Sequence, residues 1–437
     1  MSSSATADAA SSASSVTSRF LLLFCLVFSG EMIFSLPFHV PRYFRPTVLE
    51  VFGFSNTQLG DVFALYGVMA MLSYFPGGVI ADRFSDRKLM TVSLIATALG
   101  GLAMATIPSP RVTALVYGYW GVSSVLLFWA ALIRATRVWG GTEAQGRAFG
   151  LLDGGRGLIG AAAASLGVFV LGSFLPDVVE SASPEERRRG LQAVIYLYSG
   201  ITAFAALLVW RLVPEREVEA SALRRSPFAG MLEVLRKPIV WVQALIVVCA
   251  YCGFKGIDNF SLYAVQVLGM DEVAGANLSA NATYIRPVAC IAAGLLADRF
   301  TGGRTLAAVF AAMAAVYTIF VFAETMGAVR NLLFANVFVA FFGVFAMRGV
   351  YFALLEETAT PPRITGTAVG LISVVGYTPD IFFAAVTGRI LDASPGLAGH
   401  QNFFLFLVGV MVLGVGVAVT LLWLNRSAVE SPTAAEG

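Results

Sequence analysis

Gly77-Gly78-Val79-Ile80-Ala81-Asp82-Arg83-Phe84-Ser85-Asp86-Arg87-Lys88 and Ala293-Gly294-Leu295-Leu296-Ala297-Asp298-Arg299-Phe300 carry the same string, G-x-x-A-D-R-F, far apart in one chain. The second copy runs on to Gly302-Gly303-Arg304. Each copy closes a long apolar run. Glycine there lets two helices approach closely, the aspartate sits where an apolar helix meets water, and the arginines anchor that end. One string at matching places predicts a chain made of two repeated halves.

The rest of the sequence is the composition of a membrane protein. Of 437 residues, 57% are hydrophobic and only 13% charged, and the mean hydropathy is +0.78. A soluble domain of this length needs far more charge to cover its surface. A net charge of +2 argues against nucleic acid as a partner. Cys25, Cys249, Cys252 and Cys290 all fall in apolar runs, where cysteine behaves as a small hydrophobe and not as part of a disulfide framework. Cys249 and Cys252 form a C-x-x-C with no second pair, so no metal or cofactor is expected.

A span needs about 20 mainly apolar residues. Such runs lie near 19–40, 58–81, 89–107, 112–134, 148–172, 191–213, 239–262, 276–297, 305–323, 331–354, 367–391 and 402–425. They predict an all-α membrane protein of twelve transmembrane helices in two pseudo-symmetric six-helix bundles. Residues 1–18, nearly all Ser, Ala and Thr, read as a disordered tail. Residues 19–213 then form the first bundle, 214–238 a basic linker, 239–426 the second bundle and 427–437 a tail. With the N-terminus cytoplasmic, one side collects Arg83, Arg87, Lys88, Arg134, Arg137, Arg147, the linker, Arg299, Arg304, Arg363 and Arg426. That is about twice the Lys/Arg of the other side, which predicts an inner-membrane protein with both termini cytoplasmic.

These two strings and the six-plus-six plan resemble the major facilitator superfamily, whose loop between helices 2 and 3 recurs between helices 8 and 9. Ser85 and Asp86 stand where the family pattern has Gly-Arg, and the second copy is stretched by Thr301-Gly302-Gly303. The resemblance implies that Asp82 and Asp298, with Arg83, Arg87, Arg134, Arg137 and Arg299, act at a cytoplasmic gate. It also implies alternating access, one bundle rocking on the other about a site near the midplane. The stretch from Phe128 through Arg137, followed by Gly146 to Gly157, looks like a bacterial branch related to sugar-phosphate and nitrate/nitrite permeases. That likeness favours small polar anions.

Ionisable residues inside the membrane are costly, so each is a functional candidate with an expected partner. Glu31 lies roughly 18 Å along helix 1 from Arg19, where it serves proton or substrate binding or pairs with a basic residue. Lys255 and Asp258 are three apart on helix 7, and Cys252-Gly253 and Gly256 make that helix prone to bend. Arg286 precedes Pro287 in helix 8 and offers a planar fork to an anion, with Asp380 as the competing partner. Asp380, in Gly376-Tyr377-Thr378-Pro379-Asp380, belongs to a helix expected to break and line a cavity.

The substrate candidates are therefore Glu31, Lys255 and Arg286 with the aromatics Tyr251, Tyr284 and Tyr377; the proton-coupling candidates are Glu31, Asp258 and Asp380. Asp153 with Arg156, and Arg348 with Glu356, read as gate or structural pairs. His39 and His400, near the outer face, read as bystanders.

The expected function is secondary transport of a small polar anionic organic solute, driven by protons or by exchange against a counter-anion. The partners are that small molecule and the lipid bilayer, and the expected state is a monomer. Export of amphipathic cations, uptake of neutral sugars and a non-transporting receptor stay open. No G-x-x-x-x-G-K-S/T string supports an ATP-driven mechanism, and no metal-ligand cluster supports an enzyme.

Overall fold

A computed structural model describes residues 19–141, 145–215, 231–322, 330–351, 354 and 362–430. Twelve long helices follow one another. Helix α1 runs Arg19–Met32 and resumes as Ser35–Tyr43 after a 44° bend. Then come α2 (Asn56–Ala81), α3 (Asp86–Met104), α4 (Pro110–Gly140), α5 (Gln145–Gly172) and α6 (Pro184–Leu212). The second half holds α7 (Pro238–Gln266), α8 (Glu272–Phe300), α9 (Gly302–Val321) and α10 (Arg330–Val350). It ends with α11 (Pro362–Gly376 and Pro379–Ala393) and α12 (Leu397–Glu430). Ten of these are long and apolar enough to cross a membrane, eleven with the bent α1. Helix α2, with 26 residues, reaches about 39 Å, long enough to cross a bilayer.

Local chemistry sets the helix ends. Ser55 and Gln58 form a reciprocal capping box at the start of α2, and Ser183 and Glu186 do the same for α6. Ser85 and Asp271 cap α3 and α8, and proline occupies the first turn of α4, α6 and α7. Large apolar side chains such as Leu72, Leu115, Phe169, Ile291 and Leu295 stay exposed on the outer surface. A bilayer accounts for so much exposed apolar area. Inside, each half has its own apolar core, one around Phe44, Trp120 and Phe128 and the other around Phe260, Phe341 and Phe404.

The face carrying Arg19, the 82–85 turn and the end of α4 is called here the N-terminal face, and the opposite one the distal face. The halves are knitted together on the distal side. Helices α2 and α11 cross with backbones touching: a Cβ on Gly60 would lie 2.3 Å from the Ala384 carbonyl oxygen, and one on Gly388 would lie 2.3 Å from that of Asn56. Ion pairs add to this seam. Arg187 of α6 meets Glu272 of α8 at 2.5 Å, and Arg389 meets Asp61 at 2.8 Å. The ion pairs of Asp153 with Arg286 and Arg348 join the halves as well.

Candidate functional site

Glu31, Lys255, Asp258, Arg286 and Asp380 each sit beside an interruption of their helix. Pro37 cannot donate to the α1 ladder, and the chain widens into a π turn over Ser35–His39 just past Glu31. In α7 the helix ends at Gly256, and a 3₁₀ turn over Ile257–Asn259 carries Asp258 beside Lys255. Helix α8 tightens at Tyr284 and Ile285, then resumes at Arg286. Helix α11 breaks between Gly376 and Pro379, leaving Asp380 in the first turn of its second piece, where the helix dipole favours a carboxylate. Irregular backbone at this depth is tolerated where it lines a cavity.

That cavity exists. About 780 Å³ of space, part of it open to solvent, lies between the halves. Its wall is drawn from α1, α2, α4 and α5 on one side and α7, α8, α10 and α11 on the other. The polar lining is Glu31, His39, Arg42, Arg156, Lys255, Arg286, Arg348 and Asp380. Aromatic faces fill the gaps: Phe34, Phe38, Tyr66, Tyr74, Trp129, Tyr251, Phe254 and Tyr377.

The charges form two chains. In one, Arg42 donates to Asp258 at 2.5 Å, Asp258 lies 3.2 Å from Lys255, and Lys255 lies 3.5 Å from Asp380. Tyr251 also donates its hydroxyl hydrogen to Asp380, at 3.0 Å. In the other chain, His39 lies 3.1 Å from Glu31, and Arg156 donates to the second Glu31 oxygen at 3.1 Å. Asp153 then gathers three arginines: Arg286 at 2.6 Å, Arg348 at 3.8 Å and Arg156 at 3.9 Å. Aromatic rings lie under several of these cations. Lys255 is 4.3 Å from the Phe38 ring and Arg348 is 4.1 Å from that of Phe254, contacts that offset desolvation.

The sequence candidates fall into several groups. Glu31, Lys255, Arg286, Tyr251, Tyr377 and Asp380 line the cavity together with Arg156 and Arg348. Arg286 pairs with Asp153, not with Asp380. Asp258 is buried behind the wall, between Arg42 and Lys255. Tyr284 is 40% exposed, exchanges a hydrogen bond with Ser165 and does not line the cavity.

At the N-terminal face Asp82, Arg83 and Arg137 are exposed, and Asp298 and Arg299 likewise, with Arg299 over the Phe300 ring. Arg134 donates to Asp86 at 2.7 Å and stands 3.9 Å from Asp82. Arg87 pairs with Glu215. Glu356 lies outside the described residues.

Sequence reasoning missed two members. His39 is no bystander: it is buried and bonded to Glu31. Arg42, two residues past the apolar run that ends at 40, is 6% exposed and reaches Asp258. The signal was the lack of any helix stop between His39 and Tyr43, since Pro41 suits the start of a helical turn.

The family model of the Major Facilitator Superfamily matches residues 19–384. The chain is 27% identical over 416 residues to the inner membrane protein YqcE of Escherichia coli, covering 93% of this chain and 95% of that one. It is 25% identical over 299 residues to a probable nitrate/nitrite antiporter, NarK1, of Thermus thermophilus, covering 65% and 61%. Among solved structures it is similar to a bacterial homolog of the human lysosomal transporter Spinster, in an inward-facing and occupied conformation. The TM-score is 0.71 at 15% identity, over 93% of this chain and 96% of that one.

Proposed function

The chain belongs to the major facilitator superfamily, and on that footing we propose that it moves a small, polar, anionic organic solute by alternating access. Family membership and its transporter relatives make it a multi-pass inner-membrane transporter and not an enzyme. The anion reading rests on one observation. The cavity wall presents five cationic side chains, Arg42, Arg156, Lys255, Arg286 and Arg348, against two carboxylates, Glu31 and Asp380. Clefts of one sign in low-dielectric surroundings concentrate the opposite charge. Similarity to NarK1, named for nitrate and nitrite, supports the same choice.

Both termini are cytoplasmic in this reading, following the Lys/Arg bias. The N-terminal face is then the inner one, and the seam of α2 with α11 closes the outer side. The carrier works as a monomer. Coupling runs through a proton on Asp380 or Glu31, or through exchange against a second anion. Asp380 is the better proton site, because Lys255 stands 3.5 Å away while Arg156 donates to Glu31 at 3.1 Å. That occupation also leaves Glu31 poorly placed to take a cationic cargo.

The test is uptake of a panel of organic anions into proteoliposomes holding the purified chain. Lys255→Ala and Arg286→Ala should each cut anion flux by about 10- to 100-fold, the value of a charge-assisted hydrogen bond. Unchanged flux in both variants removes the anion reading.

A further inference from the structure

We infer that Arg348, with Arg286, holds the acidic group of the cargo, and that Asp153 is a tethered carboxylate occupying this place until the cargo displaces it. This rests on the anion reading above and adds to it the charge of the cargo, one negative unit.

The charges that line the cavity, with the carboxylates that pair with them, count out as follows. Arg42 and Lys255 balance Asp258 and Asp380. Arg156, Arg286 and Arg348 face only Glu31 and Asp153. Leaving His39 aside, three cations against two carboxylates leave one positive charge over, among the described residues. Arg348 is the odd one. The other four cations each have a carboxylate oxygen within 3.2 Å, whereas its nearest, on Asp153, is at 3.8 Å. An uncompensated charge at this depth is expensive, so a site that keeps one is suited to a partner that arrives from outside.

The donors for that partner are in place. The Nε atoms of Arg286 and Arg348 are both buried without a hydrogen-bond partner, and both side chains line the cavity. Arg286 itself is only 4% exposed. A buried donor left unpaired costs free energy that an incoming acceptor recovers. A carboxylate, nitrate or phosphate oxygen pair suits two guanidinium forks.

Asp153 stands in for such a ligand. Its Oδ1 atom takes all three arginines, and its side chain is 35% exposed, open enough to be displaced. When an anion takes Arg286 and Arg348, Asp153 keeps Arg156, three residues along its own helix. Asp153 belongs to α5 and its two other partners to α8 and α10, so the exchange breaks two ion pairs that join the halves. Loading the site thereby loosens that contact.

The experiment titrates acetate, and separately sulfate, into the detergent-purified full chain at constant ionic strength made up with chloride. Thermal stabilisation is the readout of binding. Asp153→Asn should tighten acetate about tenfold, with a larger gain for sulfate because the surplus charge becomes two; adding Arg348→Gln should erase the gain. Arg348→Gln alone, which answers the question even where Asp153→Asn does not fold, should weaken acetate about tenfold. The inference is overturned if the wild type responds to acetate but neither substitution changes that response, or if the gain survives Arg348→Gln. Should neither anion stabilise the wild type or any variant beyond chloride, the anion reading fails and this inference with it.

Discussion

Asp392, at the end of α11, accepts the backbone N–H of Thr57 at 2.7 Å and that of Asn56 at 3.1 Å. A carboxylate of the second half thus caps the first turn of a helix of the first half. Ser55 takes the next free donor, the Gln58 N–H. The early N–H groups of α2 are satisfied jointly by its own cap and by the opposite bundle. Removing Asp392 removes that cap only when the distal side is closed. Asp392→Ala should cost the closed state about 1 kcal/mol and raise the population open on the distal side. Spin labels at Glu185 and Ala398, on opposite halves, should then report a larger share of long distances. An unaltered distance distribution argues that Asp392 is not part of the latch.

Close packing makes a sharper prediction along the same seam. A Cβ at Gly67 would lie 2.4 Å from the backbone carbonyl of Asp380, and one at Gly60 would lie 2.9 Å from the Ala385 Cα. The obstacle in each case is backbone, which cannot swing aside as a side chain does. Gly60→Val and Gly67→Val should fold, since each half keeps its own core, but should hold the distal side open. Flux should fall at least about tenfold, the equivalent of roughly 1.4 kcal/mol against closure. The check is transport in proteoliposomes beside a melting curve; full activity in both variants contradicts the seam's role.

The Arg42–Asp258–Lys255–Asp380 chain separates burial from net charge. Arg42 and Asp258 have side chains 8% and 7% exposed. Arg42→Met leaves Lys255 between two carboxylates and should cost about 3–5 kcal/mol. Arg42→Met with Asp258→Asn leaves Lys255 and Asp380 as a balanced pair, so the double variant should regain most of that loss. Melting temperatures of the three purified proteins decide the matter. A double variant less stable than Arg42→Met alone would mean the pair is held by geometry and not by charge balance.

The fold was legible because it depends on length and hydrophobicity: twelve runs and a doubled G-x-x-A-D-R-F string suffice. The helix breaks were legible too, since Pro287 and Pro379 have no N–H to give the ladder and Gly256 lets the chain bend. Partners were not. Arg286 is expected to hold an anion, with Asp380 as the competing partner, yet it meets Asp153 at 2.6 Å. Depth along a helix fixes height in the membrane but says nothing of which face points at which neighbour. His39, read as an outer bystander, and Arg42, past the end of the first run, are buried for another reason. Helix α1 bends by 44° and carries them back inward, and a count at 1.5 Å per residue along a straight axis cannot register a bend.

The repeated string itself carries the last prediction. Its aspartate at Asp82 is the residue that the family pattern marks, but Arg134 turns mainly to Asp86, which stands where that pattern has arginine. The Asp86 side chain is 6% exposed and lies 2.7 Å from Arg134, whereas that of Asp82 is 55% exposed and 3.9 Å away. A buried charge-assisted bond contributes about 1.5–3 kcal/mol, and an exposed, long ion pair contributes under about 0.5 kcal/mol. Asp86→Asn should therefore lower the melting temperature clearly, while Asp82→Asn should leave it within error. Arg134 also donates to the Phe84 carbonyl at 2.8 Å, so Arg134→Met should be at least as damaging as Asp86→Asn. The reverse ranking, with Asp82 the costlier loss, would return the structural role to the position the family pattern marks.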